Sequence, residues 1–457
     1  MKSLYTALLI ALVVRVGLFA AMPHSSRYAT DTQYYAQLAE NLRAGHGFSS
    51  QTSPPYSPSI ERPPGYPALM AAVWTITGTN YTALAFAQIL IDLLAVAFIW
   101  GAARRRFGVG PATVASFLYA VLPFTAGTAL QFMSEGVAMA LVALALYGQV
   151  RAGDSDSTVD VARWALLAGL ALGVGAMFRS YLAPLAAVAG VVVAFELAAQ
   201  KAWSRAAVAF VALGIGSALP VGAWVARNAY VSVTTEKPFV LIEQFGSREE
   251  FVKLYTPGFR AWYKSYDEPF LWLDYRKPPR ANYFTPEEKD EVAALWTQIM
   301  ANDGAVSPRV NAAFQRIADE RYAAAPLRLL IWRPLSLGAK FWLSPRASTL
   351  RMSLGRAGTL AQASRLIVIF FFLMNAAVAG LALVGILAHG RRAKGVILWA
   401  LPLALTTILV IIVHRESRLT MPLFPILVVA AGVGAMTVRD TLKAWRTPRV
   451  VQQPAEA

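Results

Sequence analysis

The sequence contains no cysteine and only four histidines among its 457 residues. The lack of thiols excludes structural disulfides, cysteine nucleophiles and thiolate metal sites. Four histidines also leave little material for a His-rich metal site. Charged residues are scarce as well, at 15% against about 25% in typical soluble domains. Such a chain has too little polar surface to cover a soluble globule, so a soluble enzyme and a disordered protein are both excluded.

Long apolar runs are abundant instead. Hydrophobic residues make up 56% of the chain, and runs of about 20 residues, the length that crosses a bilayer core, recur along it. A signal peptide is the alternative for the first run, but no clear small-residue cleavage site follows, so we interpret it as a retained helix. We predict ten membrane spans, at about Leu4–Ala21, Ala83–Ala103, Ala112–Leu130, Phe132–Val150, Arg163–Phe178, Leu182–Ala199, Ala206–Val225, Leu366–Ala388, Val396–Val413 and Leu419–Val438.

The net charge of +16 indicates basic loops rather than a nucleic-acid surface. In polytopic proteins, Lys and Arg collect in cytoplasmic loops and attract phosphate-bearing lipids. Basic residues follow spans two, four, six, eight and ten, which places them on one side if every run crosses once. We predict that this side is cytoplasmic, with both termini inside. Membrane lipids are therefore expected partners, and nucleic acid is not.

The predicted spans divide the chain into four parts. These are an N-terminal membrane module, 1–227, that carries the first outside loop, 22–82; an extracytoplasmic domain, 228–365; C-terminal spans, 366–438; and a cytoplasmic tail, 439–457. In the second part, Thr285-Pro286-Glu287-Glu288 has the cap, first-turn proline and capping-box glutamate of a helix N-terminus. Ser307-Pro308 begins another predicted helix, through about Ala324. Apolar and basic residues mixed between 331 and 346 suggest a stretch at the membrane surface.

The first outside loop is predicted to contain a short amphipathic helix that lies along the membrane. Tyr34, Leu38 and Leu42 are four residues apart and share one helix face. Thr30 or Asp31 suits the N-cap of this helix. The aspartate is thus open to two interpretations. It either caps the helix or acts as a catalytic base at the boundary between water and lipid.

Further along the same loop, Arg62 precedes two prolines. Pro63 and Pro64 stiffen the chain and fix the direction in which the arginine points. A guanidinium held at the level of the lipid headgroups suits a phosphate, because its planar fork donates two hydrogen bonds at once. The alternative is a snorkelling side chain that contacts ordinary headgroups.

Other polar residues collect at the same predicted face. Glu135 lies at the outer turn between spans three and four, and Arg179 at the turn between spans five and six. Arg227 follows span seven, and a polar island with Glu416 and Arg418 separates spans nine and ten. A carboxylate beside apolar helices is costly unless it is solvated, paired or used. Their common location indicates a polar site at the outer face.

Arg15 and Asp92 differ from these residues because they lie inside predicted spans one and two. At 1.5 Å per residue, both lie roughly 10–14 Å from the outer ends of their helices. An unpaired charge at that depth is strongly unfavourable. We therefore predict a structural ion pair between them.

In this order, the elements resemble the integral-membrane glycosyltransferases of the GT-C fold. More narrowly, they resemble the family 39-like bacterial branch, with protein O-mannosyltransferase relatives and the enzyme that adds aminoarabinose to lipid A. The resemblance implies an all-α polytopic membrane protein with about ten transmembrane helices, an amphipathic outer-loop helix and an α-rich extracytoplasmic domain. It covers nearly the whole chain, through Asp31-Thr-Gln-Tyr-Tyr-Ala, Arg62-Pro-Pro-Gly-Tyr-Pro, Ser134-Glu135, Arg179-Ser-Tyr, Arg227-Asn228 and Glu416-Ser-Arg418-Leu-Thr-Met-Pro422.

The resemblance also implies roles for individual residues. Asp31 is implied as the base or as a metal ligand, and Glu135 orients the acceptor, the base or that metal. Glutamate at 135 replaces the aspartate of some relatives, which leaves the geometry of a shared metal site open. The lipid phosphate is assigned to Arg62, with Arg179 or Arg418. Substrate binding is assigned to four residues of the same motifs, Tyr34, Tyr66, Arg227 and Glu416.

Family members use a polyprenyl-phosphate-linked sugar and transfer it to a hydroxyl, so the expected acceptor is a glycan, a lipid or a protein. A single displacement would invert the anomeric configuration. A divalent cation held by Asp31 and Glu135 is the one cofactor that the resemblance leaves open. The expected location is a bacterial cytoplasmic membrane, with the site facing the periplasm or exterior. The absence of a Trp-Trp-Asp-type motif argues against transfer of a preassembled oligosaccharide to asparagine.

Two other classes of protein remain as alternatives. A lipid or solute transporter would also have many spans and intramembrane charges. Transporters often have related halves and helices broken near the middle of the bilayer, whereas here we find no internal repeat and the polar residues collect at one face. A structural scaffold or assembly partner is the third interpretation. Of the three, a transferase fits the sequence best.

Overall fold

The computed structural model describes residues 1–22, 27–28, 31–237, 239–243, 256–265, 283–344, 365–390, 396–412 and 417–446. Throughout these ranges the regular elements are helices, and no strand occurs in them. The N-terminal half forms α1 Lys2–Ala21, α2 Thr32–Arg43, α3 Gly65–Thr77, α4 Tyr81–Phe107, α5 Val109–Val121, α6 Pro123–Leu130, α7 Glu135–Gly153, α8 Thr158–Phe178, α9 Ala183–Ala199 and α10 Trp203–Thr235.

The rest of the described chain is also helical. A π-helical turn, Arg328–Trp332, leads into α14, and a 3₁₀ segment, Ser417–Leu423, leads into the last helix. The all-α prediction is therefore confirmed. The helices of this half are α11 Pro257–Lys264, α12 Pro286–Ala301, α13 Pro308–Ala324, α14 Arg333–Leu343, α15 Arg365–Gly390, α16 Val396–Ile412 and α17 Phe424–Arg446.

The number of membrane spans differs slightly from the prediction of ten. The described residues contain eight helices that are long and apolar enough to cross a membrane. The predicted third span is instead a pair, α5 and α6, bent by 55°. The predicted ninth span is α16, whose 17 residues lie at the short end of the length that crosses a bilayer. The departure thus lies in one broken helix and one short one.

The bend between α5 and α6 follows from the chemistry of proline. Pro123 begins α6 and has no N–H, so the carbonyl of Tyr119, four residues earlier, loses its helical partner. Arg15 replaces that partner: it donates to the Tyr119 carbonyl at 3.2 Å and also to the carbonyl of Ala120. The Thr125 hydroxyl donates to the Tyr119 carbonyl as well, at 2.6 Å. The break is therefore hydrogen-bonded inside the membrane.

The predicted ion pair inside the bundle is confirmed. Arg15 Nε donates to Asp92 Oδ2 at 2.7 Å, and the two side chains are 0% and 1% exposed. The Tyr119 hydroxyl donates to the other carboxylate oxygen at 2.7 Å. A buried pair is tolerated only when its remaining donors and acceptors are satisfied, and this network meets that condition. It joins α1, α4 and α5 at one depth.

Charged residues also join the helices at the end predicted to be cytoplasmic. Arg106, at the end of α4, lies 3.3 Å from Asp154 after α7 and 2.5 Å from Glu196 on α9. Arg205, near the start of α10, donates to the Ser155 carbonyl at 2.7 Å. The basic residues after spans two and six thus lie on the same side of the bundle.

Two helices of the segment between α10 and α15 begin where the sequence predicts. The Thr285 hydroxyl accepts from the Glu288 N–H at 3.1 Å, while the Glu288 carboxylate accepts from the Phe284 N–H at 2.9 Å. Ser307 directly precedes α13, and its hydroxyl accepts from the Val310 N–H at 3.3 Å. Both predicted helix starts are therefore confirmed. Together with α11 they form an aromatic core of Phe259, Trp262, Trp296 and Phe314.

The stretch predicted to lie at the membrane surface is part helix and part π-helical turn. Trp332 is 69% exposed, whereas Phe341 is buried. Trp342 donates from its ring nitrogen to the Thr407 hydroxyl of α16 at 2.9 Å. One end of the stretch therefore packs on an apolar helix, and its membrane-surface location remains a prediction.

Removing one partner of the buried ion pair should destabilise the protein. We expect Asp92→Asn to lower the free energy of unfolding by about 3–5 kcal/mol, because Arg15 would stay buried without a counter-charge. Adding Arg15→Gln should recover part of that loss, since neither position would then be charged. Thermal melting in detergent measures both effects. Asp160→Asn, which removes an exposed ion pair with Arg163, is the control and should change little; a double variant without recovery would contradict the pairing.

Candidate active site

Asp31 stands at the N-cap position of α2 but does not cap it. Its side chain makes no capping hydrogen bond with the helix backbone. Instead, Oδ1 accepts from Arg62 Nη2 at 3.2 Å. The two candidate residues of the first outside loop, 31 positions apart in sequence, are thus in direct contact. The interpretation of Asp31 as a helix cap is therefore wrong, and its role as a base stays a prediction.

The buried face of α2 explains where Asp31 points. Leu38 is fully buried, and Tyr34 and Leu42 pack beside it against Phe48 and Trp224. These are the three residues that the spacing in the sequence predicts on one face. Because this face is held by α10 through Trp224, Asp31, which directly precedes the helix, is held at the rim of the bundle.

Gly65 explains how Arg62 reaches this position. The glycine begins α3 directly against the end of α8: a Cβ atom there would lie 2.6 Å from the Met177 carbonyl oxygen and 2.6 Å from the Phe178 ring. Real Cβ contacts are never that short, so only glycine allows this approach. Arg62 precedes this contact by three residues and Arg179 follows Phe178. The contact therefore brings the two arginines to the same place.

A second ion pair lies beside the first. Glu135 is the first residue of α7, and its Oε1 accepts a hydrogen bond from Arg179 Nη2. Burial lowers the pKa of Arg179, but the carboxylate of Glu135 and other anionic neighbours outweigh burial and leave that pKa raised. The guanidinium is therefore a permanent cation. Glu135 and Arg179, placed at separate outer turns by sequence, form one unit in the structure.

A third carboxylate, Glu243, was not anticipated from the sequence. Its Oε2 lies 4.0 Å from Arg62 Nη1, and its Oε1 accepts from the Ser180 hydroxyl. The residue lies in the loop after α10, where no periodicity or motif marks it. The glutamate follows three apolar residues, Val240, Leu241 and Ile242, and nothing in this local sequence indicates its partners Ser180 and Arg62.

Tyr35 lies among these charges. Burial raises the pKa of Tyr35, which also feels the charges of Arg179, Asp31, Arg62 and Glu135. The phenol therefore stays protonated and can donate a hydrogen bond. One signal in the sequence could have identified it: Tyr35 is four residues after Asp31, and its N–H bonds the Asp31 carbonyl at 3.0 Å, so both lie on one face of α2.

Tyr34, the tyrosine chosen from sequence, has a different environment. Its hydroxyl is 2.8 Å from Ser59 Oγ, and burial raises its pKa to about 12. Arg227, another candidate for substrate binding, donates to the Ser59 carbonyl at 2.6 Å and stacks on the Trp224 ring. Both residues thus hold the loop that precedes Arg62. Their assignment to substrate binding remains a prediction.

The other candidates have different positions. Tyr66 is buried and donates to the side chain of Gln88 at 2.8 Å, with its ring edge-on to Tyr35 at 5.3 Å. It therefore supports the site from beneath. Glu416 lies outside the described residues. Arg418 belongs to the 3₁₀ segment before α17, and its side chain lies outside the described part.

The donor atoms present do not fit a metal centre built on Asp31 and Glu135. Each of these carboxylates faces an arginine, and an arginine competes with a cation for the same oxygens. Across the described ranges, no group of three or more His, Asp or Glu side chains is placed to hold a metal ion.

Comparison with known proteins identifies the architecture. Residues 61–224 match the family model of dolichyl-phosphate-mannose-protein mannosyltransferases. The oligosaccharyltransferase AglB from Archaeoglobus fulgidus, solved with an inhibitory peptide and a dolichol-phosphate, superposes with a TM-score of 0.53 at 17% identity, over 97% of this chain and 51% of that one. The chain has the GT-C fold. The resemblance to GT-C glycosyltransferases inferred from sequence is thereby confirmed.

The other comparisons set the limits of that likeness. An Archaeoglobus fulgidus oligosaccharyltransferase in the apo form gives the same TM-score and coverage, so this chain spans about half the length of that enzyme. ArnT from Cupriavidus metallidurans, bound to undecaprenyl phosphate, gives a TM-score of 0.40 at 16% identity, over 97% of this chain and 80% of that one. No curated protein matches the chain in sequence.

A methyl group at position 65 should disturb the site. We expect Gly65→Ala to cost about 1–3 kcal/mol, because the added atom overpacks the junction of α3 with α8. Gly222→Ala on α10 is the matched control, since nothing lies within 4 Å of its added Cβ. Thermal melting in detergent measures both variants. Equal melting temperatures would contradict the close approach.

Proposed function

We propose that the protein transfers a single sugar from a polyprenyl-phosphate donor to an acceptor hydroxyl, with inversion, on the outer face of a bacterial cytoplasmic membrane. The acceptor is a lipid, a glycan or a protein. The observation that carries the proposal is the contact between Asp31 and Arg62. It places a carboxylate and a cation, the two groups that such a transfer needs, within 3.2 Å of each other.

The side of the membrane follows from the distribution of charge. Asp31, Arg62, Glu135 and Arg179 lie at the ends of the helices opposite to Arg106 and its partners. Loops rich in Lys and Arg stay in the cytoplasm. The candidate site then faces outward, where a lipid-linked sugar presents its headgroup.

Asp31 is the proposed base because it is the most accessible carboxylate of the site. Its side chain is 15% exposed, against 3% for Glu135 and 6% for Glu243. The acceptor oxygen attacks the anomeric carbon while its proton passes to the Asp31 carboxylate. Attack from the face opposite to the leaving group inverts the configuration at that carbon.

Arg62 is the proposed partner of the leaving phosphate. Its side chain is 30% exposed, and burial, which lowers the pKa of Arg62, is outweighed by the anionic neighbours, Asp31 foremost, which raise that pKa. As the bond between sugar and phosphate breaks, its electron pair stays on the phosphate oxygen, where a fixed cation stabilises it. Arg179 adds a second permanent cation nearby.

Two of the comparisons support a polyprenyl-phosphate donor. The family model that matches residues 61–224 is named for mannosyltransferases that use dolichyl-phosphate-mannose, and this range includes Arg62, Glu135 and Arg179. An enzyme of the same fold binds a dolichol-phosphate. Both molecules carry a phosphate on a long isoprenoid chain, which is the chemistry that Arg62 is placed to recognise.

Neutralising the proposed base should abolish transfer. We expect Asp31→Asn to lower kcat by about 10²–10⁴-fold, because the amide cannot accept the proton of the attacking hydroxyl. Purified protein, a radiolabelled polyprenyl-phosphate sugar and a membrane acceptor give the rate. Glu40→Gln, which alters a partly exposed carboxylate on the same helix that pairs with Arg43, is the control. Turnover of Asp31→Asn near that of the wild type would reject the base.

Removing the proposed phosphate ligand should weaken donor binding. We expect Arg62→Ala to raise the KM for the donor roughly 10- to 100-fold, since hydrogen bonds to charged groups contribute about 1.5–3 kcal/mol. The KM for the acceptor should change less. Arg43→Ala removes an exposed arginine of α2 and provides the comparison. A larger effect on the acceptor than on the donor would count against the phosphate role.

A further inference from the structure

We infer that Glu243 is a positioning residue that controls how Arg62 is shared between Asp31 and the donor phosphate. The inference rests on the proposed function and adds a residue that neither the motifs nor the family resemblance point to. Its basis is the arrangement of two carboxylates around one guanidinium. Arg62 Nη2 lies 3.2 Å from Asp31, and Nη1 lies 4.0 Å from Glu243.

The position of Glu243 is built by specific hydrogen bonds. Trp224 donates from its ring nitrogen to the Ile242 carbonyl at 2.8 Å, and Asn228 donates to the Val240 carbonyl at 3.1 Å. The Ile242 side chain packs with Leu38 and Trp224. The loop residues directly before Glu243 therefore contact both α10 and α2. Asp31 directly precedes α2.

Two contacts fix the carboxylate itself. The Ser180 hydroxyl donates to Oε1, and Oε2 faces Arg62. The side chain is 6% exposed, so Glu243 is a buried residue rather than a surface one. It joins the turn after Arg179 to the loop that carries Arg62, and hence couples the two ion pairs.

The charges of the site show what this coupling does. Each terminal nitrogen of Arg62 is directed at a different carboxylate, which fixes the plane of the guanidinium. Without the charge of Glu243, the guanidinium would turn fully toward Asp31 and form the bidentate pair that arginine and carboxylate favour. Such a pair would keep the proposed base occupied. Glu243 thus limits the hold of Arg62 on Asp31.

This role predicts a particular kinetic signature. Glu243→Gln keeps an oxygen that accepts from Ser180 but removes the charge. We expect kcat to fall about tenfold, because the bidentate pair with Arg62 would keep the proposed base occupied. Glu243→Asp, which keeps the charge on a shorter side chain, should retain more activity than Glu243→Gln.

The decisive test is a double-mutant cycle with Arg62→Ala. If Glu243 acts through Arg62, then Glu243→Gln should change kcat less than twofold once Arg62 is absent. A tenfold fall that persists in the Arg62→Ala background would overturn the inference. So would equal losses in Glu243→Gln and Ser180→Ala, because the serine variant removes the hydrogen bond but leaves the charge in place.

The outcomes separate this inference from the proposed function. Wild-type protein that transfers sugar, together with wild-type kcat in Glu243→Gln, would overturn the role of Glu243 alone. Wild-type protein that neither binds a polyprenyl phosphate nor transfers its sugar would overturn the proposed function, and the inference with it. Melting temperatures of all variants are measured in parallel, and a Glu243→Asp variant as slow as Glu243→Gln despite wild-type melting also overturns the inference.

Discussion

The contact between Asp31 and Arg62 is the interaction on which the rest of the site depends. It joins two residues that are 31 positions apart in sequence across the end of the helical bundle. Two other contacts place Asp31 and Arg62 where they can meet. The buried face of α2 holds Asp31 at the rim, and the glycine at the start of α3 lets Arg62 come up against the end of α8. That same approach brings Arg179, with Glu135, alongside. One geometric condition, the close meeting of α3 and α8, thus assembles two ion pairs from four separate parts of the chain.

The same chemistry serves a different purpose deeper in the bundle. Arg15 and Asp92 are as strongly paired as the residues of the site, but their side chains are 0% and 1% exposed and their remaining atoms bond Tyr119 and its neighbour. No substrate can reach them, and their effect is to hold together a helix that Pro123 breaks. Arg62 and Asp31 are partly exposed, at 30% and 15%. The depth of an arginine–carboxylate pair, rather than its presence, therefore separates the structural role of the first pair from the chemical role proposed for the second.

The sequence predicted those features that depend on local pattern or on an unavoidable cost. Apolar runs located the membrane helices, caps located α12 and α13, and the cost of an unpaired charge in lipid required that Arg15 find Asp92. It did not reveal Glu243, because that residue is positioned by bonds from Trp224 and Asn228 to loop carbonyls, which leave no periodic trace. Nor did it separate Tyr34 from Tyr35, since adjacent residues differ only in which side of the helix meets the charges. The sequence contains the proline that breaks the helix at Pro123. It does not show that Arg15, from another helix, donates to the carbonyl that the proline leaves without a partner.

The balance of charge in the site has a consequence for the proposed reaction. Three carboxylates, Asp31, Glu135 and Glu243, surround two arginines, so each guanidinium already faces a carboxylate before any donor arrives. An incoming phosphate must compete for Arg62, and as it succeeds, it weakens the hold of the arginine on Asp31. The carboxylate that accepts the proton would then be released by the binding of the very group that later departs. When Arg62 exchanges Asp31 for the donor phosphate, the donor becomes bound and the Asp31 carboxylate becomes able to accept a proton. The proposed base is therefore active only when the donor is present.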